Sequence, residues 1–239
     1  MPPADALRDR CRRNVEAVRD RVAEACRRAG RAADEVTVIA VTKYAGPEIA
    51  RLVHGAGCHD LAESRPQSLW AKAEALADLV PAARWHLVGH LQRNKVRRTL
   101  PLLTLLHSLD SLRLLEAIEA EAAAAGCVCR ALVEVNLADD PERTGASPAD
   151  AEAILVAAAG MPHVEVTGLM GMASVPDGDA SAARREFARL RELRDKLRAV
   201  PGGEKLRELS MGMSGDFAEA ILEGATLVRI GSAFFEGLV

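Results

Sequence analysis

Short β-branched apolar runs alternate along this chain with stretches whose apolar residues recur every three or four positions. The first stretch, 5–29, carries Leu7, Cys11, Val15, Val18, Val22 and Cys26 at helical spacing. VTVIAVT (36–42) follows, nearly continuous and β-branched, as a strand buried on both faces reads. Pro47 then opens a helix to about residue 56, in the first turn where Pro is tolerated. The cycle repeats with strands at 58–63, 85–89, 105–110, 130–136, 164–170, 206–211 and 226–231. Helical stretches fall at 67–79, 92–99, 111–125, 148–159, 180–198, 215–223 and 232–237. Loops rich in Gly and Pro follow the fifth and sixth strands. Strands separated by helices pair in parallel, and eight such units favour a closed (β/α)8 TIM barrel over an open doubly wound sheet. No GxGxxG follows the first strand, so a dinucleotide-binding version has no support. No linker or composition shift marks a boundary. Residues 1–239 are therefore expected to form a single barrel domain, preceded by an N-terminal helix and with no second domain.

Composition narrows the setting. Of 239 residues 49% are hydrophobic and 27% charged, enough for a sizeable core and unlike a disordered chain. No run approaches the roughly 18 apolar residues of a membrane span, and no signal-peptide core is visible at the N-terminus. Acidic residues interspersed through 1–30 argue against a transit peptide. A net charge of −3 calls for neither a nucleic-acid nor a membrane partner. Five cysteines without a CxxC argue against a disulfide framework. The expected location is cytoplasmic.

Function in a barrel collects at the C-terminal ends of the strands. Those positions hold Lys43, Glu63 and Ser64, the segment His86–His90, Asp110, Asn136, Met170, Ser210 and Met211, and Arg229, Gly231 and Ser232. Only five of the 31 basic residues are Lys, and Lys43 alone directly ends an apolar strand. An amine at the edge of an apolar interior is partly uncharged, and the free amine attacks carbonyl carbon; the competing role is a Lys snorkelling out of the rim. SMGMSGDF (210–217) and RIGSAFF (229–235) are Gly/Ser loops running into helices after strands seven and eight, where this fold cradles phosphate. Ordinary turn chemistry would also place Gly and Ser there. Two such loops, with Lys43 across the barrel, suggest an aldehyde-bearing phosphate ligand.

Three other features favour plainer roles. His86 and His90 are four apart but interrupted by Gly89 and lack a third ligand nearby, so a loop or supporting role outweighs a metal site. The Arg-rich stretch 184–198 has acidic residues at helical spacing and reads as a solvated face. Cys127 and Cys129 suit core packing.

The strings AVTK (40–43), HLVGHLQRNK (86–95), VEVN (133–136), GLMGMA (168–173), LSMGMSGDF (209–217) and VRIGSAFF (228–235) closely resemble those of the pyridoxal-phosphate homeostasis protein family, the YggS/PROSC type. These proteins look like the N-terminal barrel of alanine racemase. The resemblance implies pyridoxal 5′-phosphate (PLP) as cofactor, held as a Schiff base on Lys43. It puts Arg229 at the pyridine nitrogen and Ser214, Gly215, Gly231 and Ser232 at the phosphate, with Met211, Gly212 and Met213 shaping the loop beneath. Two departures stand out. Ala62-Glu63-Ser64 replaces the usual Gly-Glu-Asn, which puts Ser64 where an Asn lies near the ring, and GLMGMA replaces GLMTI.

Two classes of function follow: a carrier serving intracellular PLP homeostasis, and a fold-type III PLP enzyme such as an amino-acid racemase. Two-base racemisation needs a second proton-transfer group opposite Lys43. The single Tyr, Tyr44, is adjacent to Lys43 and is expected to point the other way by strand alternation; Cys58 begins strand two at the wrong end. An Arg at the pyridine nitrogen cannot give up its proton, which weakens the ring as an electron sink. With no second domain, the ligand face is also expected to be open to water. The carrier is favoured, with PLP as ligand, apo forms of PLP enzymes as transient partners, and no catalytic or metal-binding residues.

Overall fold

The computed structural model describes residues 4–138, 143–174 and 179–238. The centres of the Gly/Pro loops, 139–142 and 175–178, lie outside the described residues. Eight parallel strands close into a barrel in chain order: β1 (Thr37–Val41), β2 (Asp60–Glu63), β3 (Arg84–Leu87), β4 (Leu103–Leu109), β5 (Cys129–Glu134), β6 (Val164–Met170), β7 (Glu208–Ser210) and β8 (Leu227–Ile230). The helices are α1 (Ala4–Arg28), α2 (Pro47–Gly55), α3 (Pro66–Ala75), α4 (Val96–Thr99), α5 (Leu112–Ala125), α6 (Pro148–Ala158), α7 (Ala180–Leu197), α8 (Phe217–Leu222) and α9 (Ser232–Phe235). The N-terminal α1 buries Cys11, Val15, Val18, Val22 and Cys26, while Leu7 is half-buried, and it packs against α2, α8 and α9. Cys129 is buried in the core with Cys127 packed against it.

Strand alternation decides what faces inward. Ile39, Ala62, Leu105, Leu132, Met170 and Leu227 form one apolar cluster inside the barrel. Their strand neighbours, among them Ala40, Leu61, Leu106, Val133, Leu169 and Val228, belong to the larger cluster beneath the helices. The inward parity also carries buried polar residues, among them Glu134 at the end of β5 and five more: Asp60 on β2, His86 on β3, His107 on β4, Ser210 on β7 and Arg229 on β8. These last five join in a column. Arg229 Nη1 donates to Ser210 Oγ at 2.7 Å, and Ser210 Oγ lies 2.8 Å from His107 Nδ1. His107 Nε2 is 2.9 Å from His86 Nδ1, and His86 Nε2 is 3.1 Å from Asp60 Oδ1. At the foot of the barrel Arg84 donates to both oxygens of Asp60, at 2.8 and 2.5 Å. Burial, reinforced by His86 and Arg229, holds His107 well below the usual imidazole range. Burial alone would raise the Asp60 carboxyl, but the bonds from Arg84 and His86 outweigh it and bring it down to about 2.

A second polar cluster lies outside the barrel wall. Glu63 has the outward parity on β2 and is 1% exposed, facing α3. Lys72 on α3 meets it there in a buried ion pair and also donates to the Thr42 carbonyl at 2.7 Å. Lys72 is thus a core residue although it lies on a helix and not at a strand end.

Removing one partner of this pair leaves a buried charge alone. Lys72→Met should therefore cost about 3–5 kcal/mol in urea unfolding, while the Glu63→Leu/Lys72→Met pair should recover most of it. A single variant as stable as the wild type would show that the pair carries no such charge.

His107 also sets a pH dependence. Its folded form refuses a proton that the unfolded chain accepts below about pH 6.5, so stability is complete above that pH and falls on acidification, by up to about 1.4 kcal/mol per unit. His54, lowered chiefly by burial, adds the same sign. Urea unfolding at pH 7, 6 and 5.2 should show the loss, and His107→Gln should reduce the slope to the share left by His54. An identical slope in that variant would contradict the assignment.

Candidate functional site

The C-terminal ends of β1, β8 and β7 are neighbours, and they gather most of the expected residues at one side of the barrel mouth. The β1–β8 register sets Ile39 beside Arg229 and Ala40 beside Ile230, which brings Gly231 level with Val41. Lys43 stands two residues above. It is therefore next to the loop after β8, not across the barrel from it as the strand count suggested.

β1 ends at Val41, one residue short of the expected strand, and the chain turns at Lys43 and Tyr44. The apolar edge expected for Lys43 is absent because the turn lifts the side chain out of the packed interior. Its amine is exposed and lies 4.9 Å from the centroid of the Tyr44 ring. Strand alternation does not extend into the turn, so Tyr44, 80% exposed, shares the rim with Lys43 and does not point away from it. The Lys72 bond to the Thr42 carbonyl fixes the peptide group that leads into Lys43.

Arg229 is 4% exposed. Besides Ser210 it donates from Nη2 to the Gly171 carbonyl at 3.0 Å, a bond that ties β8 to the end of β6. Burial draws its guanidinium down to about 10, with Asp216 and Glu134 pulling the other way, so it is a cation at neutral pH. Those two acids are themselves raised by burial, Glu134 against a 2.8 Å bond from the Thr144 hydroxyl.

The two Gly/Ser loops are tied to each other: the Gly231 amide donates to Ser214 Oγ at 3.1 Å. Asp216 shapes the first of them by accepting from the Met213 amide at 2.6 Å. Gly212 has φ +91°, and a Cβ there would meet Phe217 Cα at 2.8 Å, so the loop needs glycine at that point. Gly231 is different. A Cβ on it would make only ordinary contact, 3.6 Å from the Val41 carbonyl oxygen, so packing does not demand glycine there. Gly215 lies in the exposed turn before α8, and Ser232 is exposed at the start of α9, which no side chain caps. Met211 follows β7 at the mouth but turns its side chain away from it. Its side chain is fully buried in the cluster beneath the helices, because its parity on the β7 extension points outward.

Ser64 follows β2, the other neighbour of β1: the register sets Val41 beside Ala62, so Ser64 comes level with Lys43. It lines a cavity of about 550 Å³ together with Arg65, His90, Gln92 and Lys95. Gly89 is held against it: a Cβ there would sit 2.2 Å from the Ser64 carbonyl. His86 and His90 have different partners, His86 inside the barrel and His90 at the rim with Asp110 Oδ2 at 3.1 Å. A second cavity, of about 520 Å³, opens at the opposite end beneath α1, beside Cys58, Asp60 and Arg84. Sequence analysis did not single out His107, Asp60 or Lys72. The inward parity of the first two was available in the strand pattern, whereas the burial of Lys72 depends on how α3 packs.

The sequence matches the alanine racemase N-terminal domain over residues 13–238. It is 40% identical over 225 residues to the pyridoxal phosphate homeostasis protein of Deinococcus radiodurans, covering 93% of this chain and 99% of that one. To the protein of the same description from Aquifex aeolicus it is 37% identical over 218 residues, covering 91% and 94%. Among solved structures, PipY of Synechococcus elongatus with PLP bound superposes with a TM-score of 0.78 at 35% identity, covering 84% of this chain and 92% of PipY. Alanine racemase of Clostridium difficile shares the fold, with a TM-score of 0.75 at 14% identity over 95% of this chain and 56% of the racemase. Among the described residues no helix is long and apolar enough to cross a membrane. With these identities over nearly its whole length, the chain belongs to the pyridoxal phosphate homeostasis protein family, built on the alanine racemase N-terminal barrel.

Proposed function

We propose that this protein binds PLP at the β7–β8–β1 side of the barrel mouth and serves intracellular PLP homeostasis as a carrier, without turning over amino acids. The observation that carries this reading is the fixed Arg229 cation, flanked at one mouth by a Lys amine and by two linked Gly/Ser loops. The residues fit the group. A phosphate would sit over Gly231, where no side chain projects, and Ser214, accepting from the Gly231 amide, keeps its own hydroxyl hydrogen to donate. Ser232 and Gly215 border the same space, and Met211 contributes through its backbone. Arg229 only donates, so it suits an unprotonated pyridine nitrogen. Lys43 is the amine for the aldehyde, since among the described residues its Nζ has no oxygen partner, whereas the Lys72 amine faces the Thr42 carbonyl and Glu63. Condensation there forms one C=N bond and releases one water. Ser64, on the neighbouring side of the mouth, is the contact toward the ring in place of an Asn.

Residues 1–239 act in this proposal as one PLP-binding domain, cytoplasmic, with apo forms of PLP enzymes as transient recipients. The PipY structure with PLP and the shared family support the ligand. A racemase-like enzyme is the second reading, and one observation favours it: Tyr44 stands on the same rim as Lys43.

Borohydride reduction of the PLP-loaded protein followed by peptide mapping should place the adduct on Lys43, and Lys43→Ala should lose both the adduct and the visible absorbance band. An adduct on Lys72 or Lys95 would overturn the assignment. Removing the Ser214 or Ser232 hydroxyl should weaken PLP binding by about 1.5–3 kcal/mol each, as for a hydrogen bond to a charged oxygen. Pyridoxal lacking the phosphate should be insensitive to both changes.

Carrier and enzyme separate on proton abstraction. With L- or D-alanine in deuterated water, deuterium should enter Cα no faster than with free PLP at the same concentration. The loaded protein should meanwhile restore activity to an apo-enzyme. Faster incorporation that is lost in both Lys43→Ala and Tyr44→Phe would establish the enzyme reading.

A further inference from the structure

The polar column inside the barrel has a direction. Arg229 can only donate, so Ser210 Oγ accepts from it at 2.7 Å. The hydroxyl hydrogen of Ser210 then has one acceptor among the described residues, His107 Nδ1 at 2.8 Å. His107 therefore carries its proton on Nε2 and donates it to His86 Nδ1, 2.9 Å away. His86 in turn carries its proton on Nε2 and donates to Asp60, which as a carboxylate only accepts. The opposite tautomer of His107 would aim a second donor at Ser210 and leave a fully buried hydroxyl hydrogen with no acceptor, a costly arrangement. The bonds thus run one way, from the Arg229 cation near the mouth to the Asp60 anion at the foot, and their dipoles align between the two charges.

We propose that His107, His86 and Asp60 are positioning residues for Arg229: a unidirectional chain of Nε2–H imidazoles, anchored on Asp60, locks the Ser210 hydroxyl and so holds the guanidinium in place for the cofactor ring. This rests on the PLP reading for what Arg229 meets, and on the barrel interior alone for the chain. Asp60 then acts on the cofactor site from the opposite end of the barrel without touching it. Arg84, paired with both Asp60 oxygens, fixes the terminal acceptor.

The test uses two readouts. In the unloaded full chain labelled with [15N]histidine, the imidazole nitrogens of His86 and His107, assigned through the His86→Gln and His107→Gln variants, should both show the neutral Nε2–H form at pH 7. Asp60→Asn removes the anchoring charge. It should mix the His86 tautomers and raise the PLP dissociation constant about tenfold, with the Lys43 adduct still formed. A wild-type ring found as Nδ1–H, or protonated on both nitrogens, would overturn the chain whether or not the variant folds. A folded Asp60→Asn protein that binds PLP like the wild type would overturn the positioning role. Failure of the wild-type protein to bind PLP would instead remove the cofactor reading, and the ring tautomers would still decide the chain.

Discussion

A guanidinium buried in the closed barrel is the constraint around which this site is arranged. Taking a cation out of water is expensive unless its hydrogens find oxygen acceptors and a counter-charge is within reach. Arg229 has both: acceptors in Ser210 and Gly171, and acids nearby in half-buried Asp216 and buried Glu134. Each requirement reaches into a different strand or loop. Ser210 belongs to β7, Gly171 follows β6, Asp216 precedes α8 and Glu134 ends β5. One side chain therefore organises half of the rim, and Asp216, by accepting from the Met213 amide, couples it to the loop that carries Ser214.

The second support is the Glu63–Lys72 pair, on the other side of β1. It lies outside the barrel wall, yet it bonds the carbonyl that precedes Lys43. The turn at Lys43 and the Arg229 cation are thus held by separate buried charges, one behind the wall and one within it. Between them the mouth itself stays open: Lys43, Tyr44, Gly215 and Ser232 are exposed. That arrangement suits a ligand that must enter and leave.

Much of the architecture was legible in the sequence. VTVIAVT is a strand because β-branched residues pack well on a two-sided wall, its seven counterparts are shorter or less β-branched runs set between helices at regular intervals, and those helices follow the 3.6 periodicity. Boundaries moved by one or two residues where strand gave way to turn, and one such shift mattered. β1 stops at Val41, so the apolar edge expected for Lys43 and the opposed direction expected for Tyr44 both fail. Closure of the anticipated strand order sets β1 against β8, so Lys43 neighbours the Gly/Ser loop after β8 and does not face it across the barrel. Met211 packs its side chain behind the loop, since Ser210 faces in and its neighbour must face out. The burial of Lys72 was beyond any local pattern. On helix α3 it reads as one more surface amine, and only the packing of α3 on β2 brings it to Glu63.

The central claim is that a donor-only cation, fixed from within the barrel, meets the cofactor ring. The most direct measurement is the nitrogen-15 chemical shift of PLP labelled at its pyridine nitrogen and bound to the protein. An unprotonated nitrogen that accepts a hydrogen bond, and that changes its shift in Arg229→Lys, is the predicted result. A pyridinium signal, or a shift indifferent to that substitution, would contradict the account.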